Sequence, residues 1–251
     1  MKKPEILLLN PMPVRAVDEA LASRYEVRRY YAQTDAAAFL RQFGPAIRGV
    51  VTGGQTGIGR ALMEQLPALE VVAVNGVGTD AVDLEYARSR NIHVTVTAGA
   101  LTEDVADLAI GLLIAACRGL CAGDRYVRAG QWGQRALPLA RRFSGMCVGI
   151  VGLGRVGKAV AARASAFGCP IRYTDLGPVD GVAYAFEPDL KQLARESDAL
   201  VLAAAAETAV GIVDAAVLDA LGPDSFLVNI ARGKLVNEAD LVAALEGKWI
   251  T

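Results

Sequence analysis

The chain has 251 residues, with 26 Lys and Arg against 27 Asp and Glu, one His, and a formal net charge of -1. That balance excludes nucleic-acid binding driven by bulk charge, and 53% hydrophobic with 21% charged residues excludes a disordered chain and supplies material for a large core. The apolar run at 108–117 is too short to cross a bilayer and the one at 6–9 too short for a signal-peptide core, so a cytoplasmic protein with no membrane contact is expected.

In chain order, β-branched runs predict strands at 6–10, 25–30, 49–52, 71–74 and 93–96, and then at 148–151, 171–174, 199–203 and 226–230. Ala-rich amphipathic stretches predict helices at 15–23, 35–43, 60–66, 84–90, 157–167, 188–196 and 238–245. Strands alternating with helices mean βαβ units, parallel sheets and right-handed crossovers. Two blocks result: residues 1–97 and residues 98–251. Between the two series of strands lies 102–121, an apolar pattern read as one long helix buried between domains or between subunits. An Arg- and Gly-rich arm with Trp132 follows at 123–144. Cys117 and Cys121 stand at i, i+4 with no nearby His, so the four cysteines are expected to be core thiols and no metal site is expected.

The strongest chemical signal is Gly152-Leu153-Gly154-Arg155-Val156-Gly157, a G-x-G-x-x-G that follows a predicted strand and opens a predicted helix. Gly152 permits the tight turn, Gly154 lets a pyrophosphate approach the backbone, and Gly157 lets the helix pack on the strand. The helix N-terminus supplies N–H groups and a favourable dipole. Asp175 ends the next strand, where a carboxylate accepts hydrogen bonds from ribose hydroxyls. A 2′-phosphate would be repelled there, so NAD is the expected cofactor. Arg172 nearby keeps NADP open.

The strand at 226–230 runs into Ala231-Arg232-Gly233. Ligands of open parallel sheets sit off the carboxyl ends of strands, so Arg232 is placed to grip a carboxylate and polarise a carbonyl, or else to cap a strand end. The loop Asn75-Gly76-Val77-Gly78-Thr79-Asp80 can present consecutive N–H groups to an anion, or be an ordinary strand-to-helix turn capped by Asp80.

With these segments placed, the chain resembles the D-isomer-specific 2-hydroxyacid dehydrogenases. The matching pieces are Val74 to Asp80, Thr102-Glu103-Asp104-Val105-Ala106-Asp107, Gly149 to Gly157, and Val228 to Gly233 with Glu238. They occur in the family's order and cover nearly the whole chain. Val105 to Gly111 and Gly168-Cys169-Pro170-Ile171 are most similar to the glyoxylate/hydroxypyruvate reductase branch. The resemblance implies two doubly wound parallel-sheet domains: a flavodoxin-like substrate domain over 1–97, and a Rossmann NAD-binding domain over 98–251 that carries a dimerisation helix and arm at 102–144. It implies an active cleft between the domains. It also implies hydride transfer between NAD(H) and a small 2-oxo acid, with a homodimer as the working assembly.

The same resemblance assigns Arg232 to the substrate carboxylate and carbonyl, and Gly53, Gly54, Val77 and Gly78 to the carboxylate as backbone donors. For the cofactor it implies Thr102, Gly152, Leu153, Gly154, Arg155, Val156, Gly157, Asp175, Ala204, Ala205, Ile230 and Ala231.

The chain also departs from the family. The glutamate and the proton-donating histidine expected downstream of Arg232 would follow Thr251, as would further strands and a returning helix. His93, the one histidine, is expected to be structural, and Glu246 matches no catalytic position. The segment 203–208 is short and lacks the family's proline. Two function classes follow: a reductase of glyoxylate, hydroxypyruvate or a similar 2-oxo acid, or an NAD(H)-binding sensor without acid–base residues. Retention of Arg232 and the Gly76 to Gly78 loop speaks for the reductase.

Overall fold

A computed structural model describes residues 3–205 and 209–250. The chain divides into two compact units, Met1–Ala100 and Leu101–Thr251. Among the described residues no single helix is long and apolar enough to cross a membrane.

The first unit runs β1 (Glu5–Leu8), α1 (Arg15–Arg24), β2 (Glu26–Arg29), α2 (Ala36–Phe43), β3 (Ile47–Gly53), α3 (Arg60–Met63), β4 (Val71–Asn75), α4 (Leu84–Ser89) and β5 (His93–Val96). Its strands pair in parallel in the order β2-β1-β3-β4-β5. This is the flavodoxin-like arrangement, with its topological switch between β1 and β3. Its core gathers Leu7, Ile47, Val50, Val72 and Val74 from the strands with Met63, Leu66 and Ala87. Alternate residues along a strand face opposite ways, which is why Val72 and Val74 are buried while Val71 and Ala73 are half-buried.

The second unit runs α5 (Thr102–Cys117), α6 (Leu120–Arg128), β6 (Val148–Val151), α7 (Arg155–Ala166), β7 (Ile171–Thr174), β8 (Ala185–Phe186), α8 (Leu190–Arg195), β9 (Ala199–Leu202), α9 (Ala215–Leu221), β10 (Phe226–Asn229) and α10 (Glu238–Glu246). The parallel order β10-β9-β6-β7-β8 is that of a Rossmann sheet, 3-2-1-4-5 in the unit's own sequence. The central strands β6 and β9 are buried along their whole length, as apolar runs covered on both faces must be. On one face α5 and α7 cover the sheet through Ala106, Ala109, Leu113, Val160 and Ala161. On the other, Leu193, Val217 and Leu218 do so. Asp189, Asp214 and Asn237 cap α8, α9 and α10 by accepting backbone N–H groups, each contributing about 1 kcal/mol.

The observed elements differ from the expected ones in three places. The pattern at 102–121 is two helices, not one: α5 stops at Cys117, Gly119 takes φ +60, and α6 sets off at 62° to it. A left-handed residue cannot continue a right-handed helix. Within this unit Leu108 and Leu112 of α5 are 56% and 42% exposed. The arm is helical as far as Arg128. Strand β8 and helix α9 are additional to the predicted elements.

Candidate active site

The turn after β6 shows why each glycine is there. Gly152 has φ +91, its N–H donates to Thr174 O at 2.8 Å, and a Cβ on it would lie 2.6 Å from Ala204 Cα. A Cβ on Gly157 would lie 2.1 Å from Gly152 O, so only glycine lets α7 lean on the turn. Gly154 is different: its φ is −72, and a Cβ there would meet nothing within 4 Å among the described residues. Neither backbone strain nor internal packing requires glycine at 154, which leaves close approach by an outside group. Gly154 also precedes the first residue of α7, and among the described residues no side chain caps that helix. Its first N–H groups therefore face outward with the positive end of the dipole.

Asp175 closes the same site from the end of β7. One carboxylate oxygen accepts the Leu153 N–H at 2.7 Å and the other accepts the Leu176 N–H at 2.8 Å. Each oxygen retains a second lone pair for a hydroxyl donor. A cavity of ≈ 430 Å³ is bounded by Gly152, Gly154, Thr174, Asp175, Ala204 and Ala205, with Leu190 and Ile212 on its apolar side. Such a volume suits a nucleotide moiety. The open cradle at Gly154, the uncapped helix and the paired carboxylate together fit a dinucleotide's pyrophosphate and ribose.

Other expected cofactor residues fall as follows. Leu153 is buried and its N–H is used by Asp175, so it anchors the turn rather than offering a donor. Arg155 is exposed at the start of α7, and Val156 packs against the core. Thr102 opens α5 and is not among the cavity's lining residues. Ile230 and Ala231 are half-buried just beyond β10. In the segment 203–208, residues 206–208 lie outside the described residues.

The direction of Arg172 is settled by its partners. Its Nη2 lies 2.5 Å from Glu196 Oε2 and 3.5 Å from Glu187 Oε2. The guanidinium is engaged by two carboxylates, and Leu176 beside Asp175 is 99% exposed and uncharged.

Arg232 follows β10, at the carboxyl end of the sheet that also carries the glycine turn. It is exposed and its Nη1 donates to Ala231 O at 3.0 Å. The Asn229 side chain brackets this turn, accepting the Ala231 N–H at 3.0 Å and donating to Arg232 O at 2.9 Å. Sequence reasoning missed Asn229, although an Asn two residues before a turn amide is a recognisable Asx-turn signal.

In the first unit, two loops at the carboxyl ends of β3 and β4 are locked together. A Cβ on Gly54 would lie 2.7 Å from Gly78 O, and one on Gly57, at φ +57, would lie 1.9 Å from Ala81 O. Ile58 bridges Val82 in parallel, and buried Thr52 donates its hydroxyl to Gly57 O at 2.8 Å. Thr97 holds Gly76 from both sides, accepting its N–H at 3.1 Å and donating to its carbonyl at 2.9 Å. The Gly53 N–H is occupied by Asn10 Oδ1 at 2.9 Å, so Gly53 shapes the loop and offers no donor. Among the described residues the N–H groups of Gly54, Val77 and Gly78 donate to no protein acceptor, and Val77 is 57% exposed. Unpaired N–H groups on a glycine loop form an anion-binding surface. His93 is exposed at the amino end of β5, the opposite end of the sheet from these loops.

The comparisons with known proteins agree with this chemistry. The family profile described as D-isomer specific 2-hydroxyacid dehydrogenase, NAD binding domain, matches residues 110–251. A 2-ketogluconate reductase of Gluconobacter oxydans is 43% identical over 249 residues, covering 99% of this chain and 79% of that protein. The solved 2-hydroxyacid dehydrogenase of Ketogulonicigenium vulgare superposes with a TM-score of 0.93 at 40% identity, covering 100% of this chain and 79% of that one. An NADPH-dependent glyoxylate/hydroxypyruvate reductase of Sinorhizobium meliloti, solved with NADP and malonate, gives a TM-score of 0.88 at 36% identity, covering 99% of this chain and 77% of that one.

The chain belongs to the D-isomer-specific 2-hydroxyacid dehydrogenase family. It is an NAD(P)-dependent oxidoreductase acting between 2-oxo and 2-hydroxy acids, and the alternative of a sensor without catalysis is not supported.

Proposed function

We propose that this enzyme reduces a small 2-oxo acid of the glyoxylate or hydroxypyruvate type, with NADH preferred to NADPH. The observation that carries the substrate class is the set of unpaired N–H groups at Gly54, Val77 and Gly78, which suit a carboxylate. Arg232, in the second unit, is a planar cation of the kind that takes a carboxylate oxygen and the neighbouring carbonyl oxygen. As the carbonyl carbon is reduced, negative charge grows on its oxygen, and a fixed guanidinium stabilises it more than it stabilises the ground state. A bound nicotinamide cofactor would supply the hydride and be left oxidised, and a proton drawn from solvent would complete the hydroxyl. The chain's own residues hold and orient: α7 and Gly154 take the pyrophosphate, and Asp175 takes the ribose hydroxyls.

The NADH preference rests on Asp175, on uncharged Leu176, and on Arg172 being engaged by Glu187 and Glu196. Neither Arg172 nor Leu176 thereby offers a free cation to a 2′-phosphate, and a carboxylate repels one. The Sinorhizobium meliloti relative is NADPH-dependent by description, so this choice separates the two proteins. We further propose a homodimer through residues 102–144, supported by Leu108 and Leu112 exposed on α5 and by Trp132 and Leu139 on the arm, 77% and 101% exposed.

The test is the rate of NADH and of NADPH oxidation with glyoxylate and with hydroxypyruvate. At least tenfold higher kcat/KM with NADH supports the reading. Equal rates with both cofactors would remove the preference, and no turnover of either acid would remove the substrate class.

A further inference from the structure

The turn that presents Arg232 is bracketed by the Asn229 side chain. Strand β10 ends at Asn229, and its amide spans the next three residues: Oδ1 accepts the Ala231 N–H at 3.0 Å while Nδ2 donates to the Arg232 carbonyl at 2.9 Å. These bonds lie on either side of the Ala231–Arg232 peptide. The carbonyl of that same peptide receives Arg232 Nη1 at 3.0 Å. Main chain and guanidinium thus share one hydrogen-bonded unit. Arg232 itself has φ −139 and ψ 140, an extended conformation outside any helix, and it is exposed, so neither a helical ladder nor burial fixes its orientation. Asn229 is exposed too, and packing gives no reason for an amide there.

We propose that Asn229 is a positioning residue for Arg232, fixing the turn so that the guanidinium is aimed before substrate arrives. The inference rests on the reading of Arg232 as the group that binds the substrate carboxylate and carbonyl. The geometry asks for one donor and one acceptor on a short planar group. Asn supplies both. Asp keeps the acceptor and loses the donor, and Ala loses both. A small misplacement of a group that must meet a reacting atom costs on the order of tenfold to 10²-fold in rate.

The experiment measures KM for glyoxylate and kcat with NADH for the unaltered enzyme, Asn229→Ala, Asn229→Asp, Arg232→Ala and Asn229→Ala/Arg232→Ala. NADH affinity is read in parallel by fluorescence titration, and thermal midpoint by calorimetry. Asn229→Ala is expected to raise KM for glyoxylate about tenfold or more, to leave the NADH Kd within about twofold, and to add no further loss in the Arg232→Ala background. Asn229→Asp, nearly isosteric, is expected to shift KM in the same direction and answers the question if the alanine variant proves unstable. An unchanged KM in both Asn229 variants, alongside a large loss in Arg232→Ala, overturns the positioning role and leaves the arginine's role standing. A full, multiplicative loss in the double variant also overturns it. An unchanged KM in Arg232→Ala would overturn the arginine's role, and this inference with it.

Discussion

The glycine-rich turn of the second unit and the paired loops of the first unit use the same residue for different reasons. In the turn, Gly157 is required by the Gly152 carbonyl within one strand–turn–helix and Gly152 by Ala204, just after β9, whereas Gly154 faces open space. In the loops, Gly54 and Gly57 are required because a second loop, from Gly78 to Ala81, presses against them. In the first set the Gly157 constraint is local and therefore visible as a spaced motif. The second joins residues more than twenty positions apart, and no spacing rule announces it. The comparison separates glycines that shape a site from the glycine that admits a ligand.

The largest expected effect is at Arg232. Arg232→Ala should lower kcat/KM for glyoxylate by on the order of 10²–10³-fold, about 3–4 kcal/mol, with NADH affinity unchanged. A loss confined to NADH binding would place the arginine elsewhere. Next comes the locked pair of loops. Gly57→Ala adds a Cβ 1.9 Å from Ala81 O at φ +57 and should destabilise the first unit by about 3 kcal/mol. A calorimetric scan should show it, while NADH titration should remain normal.

The turn can be divided in the same way. Asp175→Ser should narrow the NADH over NADPH preference by about tenfold, roughly 1.4 kcal/mol, by removing the repelling charge. Gly154→Ala should leave the thermal midpoint unchanged and weaken NADH binding by about tenfold. Gly157→Ala, whose Cβ would lie 2.1 Å from Gly152 O, should instead lower the thermal midpoint. Equal effects of the two glycine variants on stability would break the distinction between shaping and admitting.

The smallest effect concerns the thiols. Burial pushes Cys117, Cys147 and Cys169 up from the usual thiol range, while Cys121 is exposed. At pH 8 one fast-reacting thiol is expected, at Cys121, since only the thiolate is nucleophilic. Peptide mapping after brief alkylation checks it, and rapid labelling at Cys169 would contradict the burial.

Much of this arrangement was legible in the sequence because parallel strands are short, apolar and β-branched. Residues 93–96, 148–151 and 171–174 are strands with the predicted bounds. Strand β8 escaped notice because Ala185–Phe186 has two residues and no β-branched side chain. The break after Cys117 was hidden because a lone glycine is tolerated inside a helical pattern, and only φ +60 at Gly119 reveals the stop. At the site, the type and order of residues were readable, while side-chain direction was not. Arg172 lies three residues from Asp175 and could have faced a 2′-phosphate. Its partners Glu187 and Glu196 come from β8's end and α8's end, elements whose placement depends on the folded sheet. Asn10 and Thr97 escaped for the same reason: each bonds a loop that follows a different strand.

We propose that the substrate is recognised as a carboxylate and that Arg232 activates the neighbouring carbonyl. The most direct test compares kcat/KM for glyoxylate with that for glyoxylamide, its neutral analogue, in the unaltered enzyme and in Arg232→Ala. The account predicts a preference for the acid on the order of 10²-fold, collapsing toward unity in the variant. Equal turnover of acid and amide by the unaltered enzyme would contradict it.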